Sequence, residues 1–351
     1  MSFLHYVHST DPQTGGVAEA VKSLNEALRA EGVPSSIHTQ PKLTEGKKEM
    51  LMGHGLWQWP GRHCLSMGKK KKIPYLIYPH GMLDPWFKQA YPLKHFKKQI
   101  YWWLVQREVL SRAYAVCFTT EEEMKLAEKS FWPYHCNPVV TGLGINDPPE
   151  DADLQETEFQ KKFTQVKGKK VLLYLGRFDP KKGLDLLLNA FLENPQKNEL
   201  LALAGPFDEK DSFHRKLRKS IGTSNGRVLW CGMLQGNLKW GALRTADALI
   251  LPSHQENYGM VVAEALSVGT PVFLSNKVNL WREVDSCKAG FVTNDDQLGV
   301  NLLLQKWKGN AHSKMRESAC LCFKERMHVR KTARLLIEMK EMSFSNDLVR
   351  Q

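Results

Sequence analysis

Glu256 and Glu264 stand eight positions apart in the segment LPSHQENYGMVVAEALSVGTPV, residues 251–272. The apolar run Ala248 to Leu251 reads as the end of a buried strand, broken by Pro252, Ser253 and His254. A helix then opens at Tyr258-Gly259, with Val261, Val262, Ala265 and Leu266 as its apolar face. A strand feeding a glycine-started helix presents free backbone N–H groups and a positive dipole end, which suits an anion. Asn257, Tyr258, Gly259, Met260 and Val261 are the residues at that helix start. One carboxylate lies in the turn before the helix and the other a full turn inside it. Acidic side chains would repel a phosphate, so this pair suits the neutral hydroxyls of sugars attached to one.

A second loop supplies the cations. The predicted strand Lys170 to Leu175 runs into Gly176-Arg177-Phe178-Asp179-Pro180-Lys181-Lys182-Gly183. Arg177 offers a planar fork suited to phosphate oxygens, and Lys182 offers a point charge. Near the start of the chain, a short strand ends in Asp11-Pro12-Gln13-Thr14-Gly15-Gly16 and a helix follows. Gly15 and Gly16 at such a junction let a ligand approach the backbone closely. The spacing is neither G-x-G-x-x-G nor that of a phosphate-binding P-loop, so both of those readings fail. His80 lies in Pro79-His80-Gly81-Met82-Leu83-Asp84-Pro85-Trp86, directly after a strand. Between Pro and Gly on a loop it is poorly placed for the core, and a functional role is favoured.

The elements that must hold these loops alternate short apolar strands with amphipathic helices, an α/β pattern. A length of 351 residues suggests two domains, each with its own core. Strands are expected near 50–53, 75–79, 115–119 and 138–141, and helices near 94–112 and 120–129. The acid-rich stretch with Pro148-Pro149 reads as a linker, 149–168, between domains at 1–148 and 169–326. Asp151-Ala152-Asp153 in that linker has the form of a metal-binding D-x-D. Such a motif needs the end of a buried strand, so these acids are assigned to the linker. No run approaches the roughly 20 apolar residues that span a bilayer, and no signal peptide is read at MSFLH. Seven scattered cysteines without C-x-x-C fit reduced thiols and a cytoplasmic protein.

The net charge is +12, and between Lys69 and Lys98 eight lysines face one acid, Asp84. Lys94-His95-Phe96-Lys97-Lys98 then runs into the aromatic stretch Ile100 to Val105. This is either a surface that rests on anionic lipid, on the cytoplasmic face of an inner membrane, or a solvated lysine face beside a core helix. No nucleic-acid-binding signature accompanies the charge, and nucleic acid is not expected as a partner.

The spacing Pro-Ser-x-x-Glu-x-Tyr-Gly, then Glu264-Ala265 and Gly269-x-Pro271-Val272, resembles the paired-glutamate signature of retaining GT-B glycosyltransferases of group 1, or family 4. Gly176-Arg177 with Lys182-Gly183 is similar to that family's second signature, and the loop at His80 to that of its bacterial surface-polysaccharide members. The resemblance is strong over 170–290 and confined to loops before that. It implies two Rossmann-like domains facing each other across a cleft, with a last helix, about 327–345, packing back on the first domain. It also implies a nucleotide-sugar donor and a saccharide acceptor, with no metal and no other cofactor. Arg177 and Lys182 would hold the donor diphosphate, Glu264 the ribose and Glu256 the sugar. Gly15, Gly16 and Gly176 would lie against the donor, Met233 beside its base, and His80 would face its sugar. A nucleotide-sugar 2-epimerase and a non-catalytic nucleotide-sugar binder share the implied fold and are the competing readings.

Overall fold

The computed structural model describes residues 2–11, 16–44, 48–193 and 196–349, with side chains as far as 345. The chain divides into two compact units, Met1–Asn146 with Arg326–Gln351, and Asp147–Glu325. Each is built on one six-stranded sheet.

In the first unit the strands are β1 (Ser2–Tyr6), β2 (Ser35–His38), β3 (Glu49–His54), β4 (Tyr75–Tyr78), β5 (Ala115–Phe118) and β6 (Pro138–Val140). Their order is β2-β1-β3-β4-β5-β6, and every pair is parallel. Alternate side chains leave opposite faces of the sheet. On one face Leu51, Ile77 and Val116 pack with the fully buried Trp102. On the other, Phe3, Met50, Met52 and Tyr78 pack with Ala333, Leu336 and Met339 of the C-terminal helix Val329–Val349. That helix also lies against the Gly16–Ala30 helix. It is tied to the unit at its start, where the N–H of Val329 donates to the Ile145 carbonyl at 3.0 Å.

The second unit has β7 (Lys170–Leu175), β8 (Glu199–Ala204), β9 (Val228–Gly232), β10 (Ala248–Leu251), β11 (Val272–Ser275) and β12 (Gly290–Thr293). The order β9-β8-β7-β10-β11-β12 is again all parallel. Successive strands run outward from β7 in one direction and then from β10 in the other. The strand order therefore reverses between β7 and β10, where open α/β sheets bind ligands.

Two expectations need correction. The stretch 149–168 is not a linker: Ala152–Lys162 is a helix of the second unit, packed on the Gly236–Thr245 helix. Gln155 and Phe159, four residues apart and so on one helical face, are both buried there. The Arg244 guanidinium donates to Oε1 of Gln155 at 2.9 Å and to the Pro149 carbonyl at 3.1 Å. Asp151 and Asp153 are exposed at the start of this helix. The long helix expected over 94–112 is also interrupted. Pro92–Tyr101 passes into a π-helical turn, Trp102–Gln106, before Arg107–Ser111 resumes α geometry.

Candidate active site

In the second unit the two signature loops leave the carboxyl ends of the adjacent strands β7 and β10. Asp179 caps a short 3-10 turn, Pro180–Lys182, by accepting from the Lys181 N–H at 3.0 Å. Gly183 follows at φ +64°, and a Cβ there would collide with the Pro252 carbonyl. Only glycine permits this contact, so the cationic loop rests directly on the backbone of the acidic one. The N–H of His254 fixes the junction further, donating to the Lys181 carbonyl at 2.7 Å.

This packing brings Lys182 and Glu256 together. Lys182 is buried, and its Nζ forms an ion pair with Oε2 of Glu256. The backbone of Glu256 is held on both sides: its N–H donates to the Lys277 carbonyl, and its carbonyl accepts from Asn279, each at 3.0 Å. Asn257 Oδ1 accepts from the Asn279 side chain at 3.2 Å. A buried cation aligned on a fixed carboxylate holds its position, because breaking the pair leaves an uncompensated charge. Gly176 precedes Arg177, whose side chain is exposed, and the Arg177 carbonyl accepts from the buried Tyr174 hydroxyl at 2.8 Å. Burial, and then the charge of Lys182, push the Lys181 ammonium below its ordinary pKa.

The Met260–Ser267 helix begins at Gly259, which has φ +69°. No side chain caps it, and its first turn contains no acid. Its leading N–H groups open on the loop region, where the Glu256 side chain lies against Gly259 at that end of the helix. Tyr258 is buried beside this start, while Met260 and Val261 are partly exposed. Glu264, one turn further on, pairs through Oε1 with Lys239 Nζ at 2.9 Å. Sequence reasoning missed Lys239, which lies outside both signatures on the Gly236–Thr245 helix. Met233 follows β9 at the far edge of the sheet and is 66% exposed.

The first unit holds the other candidates. Gly16 is the exposed first residue of its helix, and Gly15 lies outside the described residues. His80 follows β4 in a left-handed conformation, φ 51°. A buried carboxylate secures this turn: Glu123 accepts from the Gly81 N–H at 2.5 Å, the Thr119 N–H at 2.7 Å and the Thr119 hydroxyl at 2.6 Å. Nε2 of His80 meets Nδ1 of His54 at 3.0 Å, and burial lowers the pKa of His80 to about 4. His80 is therefore a neutral imidazole at pH 7.

Residues 155–307 match the family model for glycosyl transferases group 1. An uncharacterized glycosyltransferase of Methanocaldococcus jannaschii is 27% identical over 173 residues, 47% of this chain and 44% of that protein. A 41.2 kDa protein of the Klebsiella pneumoniae cps region is 25% identical over 64% of this chain and 58% of its own length. The chain thus spans about half the length of these relatives. The structure of Anabaena HepE in complex with UDP and glucose superposes with a TM-score of 0.72 at 14% identity, covering 97% of this chain and all of that one. At that identity the likeness is one of fold, and the fold is GT-B. Over residues 155–307, less than half of the chain, the second unit is thus similar to the group 1 glycosyl transferases.

Proposed function

We propose that this protein moves a hexosyl group from a nucleotide-diphosphate sugar to a saccharide acceptor with retention of anomeric configuration. The observation that carries this reading is the join between the two loops at β7 and β10. It places a buried lysine on a fixed glutamate beside an uncapped helix start. Glycosyl transfer has two electrostatic demands, a leaving diphosphate that gains charge and a sugar ring that becomes cationic. Arg177, Lys182 and the N–H groups at Met260–Val261 answer the first without a metal. Each preorganised donor of this kind contributes about 3–4 kcal/mol to a transition state. Glu256 suits a sugar hydroxyl and Glu264 a ribose hydroxyl, with Lys239 holding one of its oxygens. Attack occurs on the face the diphosphate leaves. The acceptor oxygen bonds to the anomeric carbon, the carbon–phosphate-oxygen bond breaks, and the departing oxygen takes the acceptor proton. No protein nucleophile is assigned.

The acceptor proposed is a lipid-linked saccharide, reached by peripheral contact with anionic membrane from the cytoplasmic side. The surface of the first unit around residues 92–104 supports this. The Pro92–Tyr101 helix buries none of its residues, and Leu93, Phe96 and Leu104 are 81, 64 and 75% exposed beside Lys94 and Lys97. Trp102 is buried, but Trp103 and Trp132 share this exposed face, with Trp103 Nε1 donating to the Trp132 carbonyl at 2.8 Å.

The test is a thermal-stabilisation screen of UDP-, GDP- and ADP-sugars, followed by transfer assays with the stabilising donor. UDP-sugars come first, since HepE is described in complex with UDP and glucose. Stabilisation with transfer to an acceptor supports the proposal. Epimerised nucleotide sugar formed without acceptor, or tight binding with no turnover, would replace it with one of the competing readings.

A further inference from the structure

The chain of contacts that ends at His80 begins three strands away. The Ser35 hydroxyl on β2 meets Nε2 of His5 on β1 at 3.1 Å. Nδ1 of His5 meets Nε2 of His54 on β3 at 3.0 Å, and Nδ1 of His54 meets Nε2 of His80 after β4 at 3.0 Å. The rings stack as they bond, His5 on His54 at 5.2 Å and His54 on His80 at 5.3 Å, over the buried Tyr78. His5 and His54 are almost wholly shielded from solvent. Burial lowers the pKa of all three rings, so each is neutral at pH 7.

A neutral imidazole carries one N–H and one bare nitrogen, so the chain has only two consistent polarities. In one, every histidine holds its proton on Nδ1, and the Ser35 hydroxyl donates into Nε2 of His5. In the other, every proton sits on Nε2, and His5 donates to Ser35. The second polarity requires another acceptor for the Ser35 hydrogen. Among the described residues, the His5 ring is the hydroxyl's recorded partner. A buried donor without an acceptor costs more than an unused hydroxyl lone pair. The first polarity wins.

We infer that Ser35, His5 and His54 are positioning residues that fix His80 as a hydrogen-bond donor, presenting Nδ1–H outward from the first unit. This rests on the proposed function and on the expectation, implied by the family resemblance, that His80 faces the donor sugar. It adds that His80 gives a hydrogen bond to a sugar or phosphate oxygen and does not act as a base.

The experiment is 15N NMR on full-length protein labelled at histidine, with single His→Gln variants for assignment. His5, His54 and His80 are expected to carry the proton on Nδ1. In Ser35→Ala neither polarity satisfies Nε2 of His5, so the bias weakens and the Nδ1–H fraction of His80 falls. Ser35→Thr restores it. A wild-type His80 protonated on Nε2 overturns the inference, as does an Nδ1–H fraction unchanged in Ser35→Ala. Should Ser35→Ala fail to fold, the wild-type spectrum alone decides. None of these readings depends on turnover. Expected tautomers without glycosyl transfer would sink the proposed function and leave the chain standing. Transfer activity with reversed tautomers would do the opposite.

Discussion

Each unit is built on a six-stranded parallel sheet, in a different strand order, and the two equip their strands and the loops that follow with opposite chemistry. The second unit uses full charges in pairs, Lys182 with Glu256 and Lys239 with Glu264. The first uses neutral rings that burial keeps neutral, His5, His54 and His80. A diphosphate needs charge, and ion pairs keep a cation ready without leaving it alone in a dry site. A sugar needs directed hydrogen bonds, and a neutral chain supplies direction without charge. Under the proposed function one kind of parallel sheet serves both, because the chemistry is carried by individual side chains on strands and loops and not by the fold itself.

The sharpest way to break this contrast is to remove a charge from the second unit. Lys182→Ala is expected to lower turnover about 10²-fold, as for the loss of one preorganised donor. Initial rates, together with circular dichroism to confirm folding, check it, and near-normal turnover in a folded variant would remove Lys182 from the mechanism. Gly183→Ala comes next. It forces a side chain into the Pro252 carbonyl at a left-handed position, and it should cost about 2–3 kcal/mol of stability. Urea unfolding measures that cost, and a variant as stable as the parent would show that the two loops do not depend on this contact.

The first unit should be the acid-sensitive one. Below the free-histidine value of 6.5 the unfolded chain takes up protons that His80 refuses until about pH 4 and His5 until about pH 3. Stability is therefore full above pH 6.5 and is lost as pH falls through that window, by about 2 kcal/mol for each such histidine at pH 5. Amide exchange in β1, β3 and β4 at pH 7 and pH 5 tests this, and equal protection at both would refute it. The smallest expected effect is none at all: EDTA should leave turnover unchanged, whereas loss on chelation with rescue by Mn would return attention to a metal.

What could be read from the sequence follows the same division. The second unit's site was legible because its chemistry is contiguous. Arg177 and Lys182 share one loop, and Glu256 and Glu264 share one turn and helix. Lys239 carried no such signal, since its meaning comes only from a neighbouring helix. In the first unit His80 stood out on its loop, but its partners are 26, 45 and 75 positions away, from His54, Ser35 and His5. Strand pairing, not sequence proximity, makes them neighbours. Glu123 was hidden for the same reason, since it supports the Gly81 turn from the helix after β5. The Ala152–Lys162 helix was misread because Pro148-Pro149 and the surrounding acids look solvated. The four-residue spacing of Gln155, Phe159 and Phe163 was its helical signal.

The row of imidazoles across the first sheet has a consequence for how this protein can vary. Replace one ring with an apolar residue and its neighbours are stranded, each with a nitrogen facing hydrocarbon. Replace them all and nothing is stranded. Positions 5, 35, 54 and 80 should therefore change as a block in related chains, drifting together toward apolar side chains wherever the outermost histidine is given up.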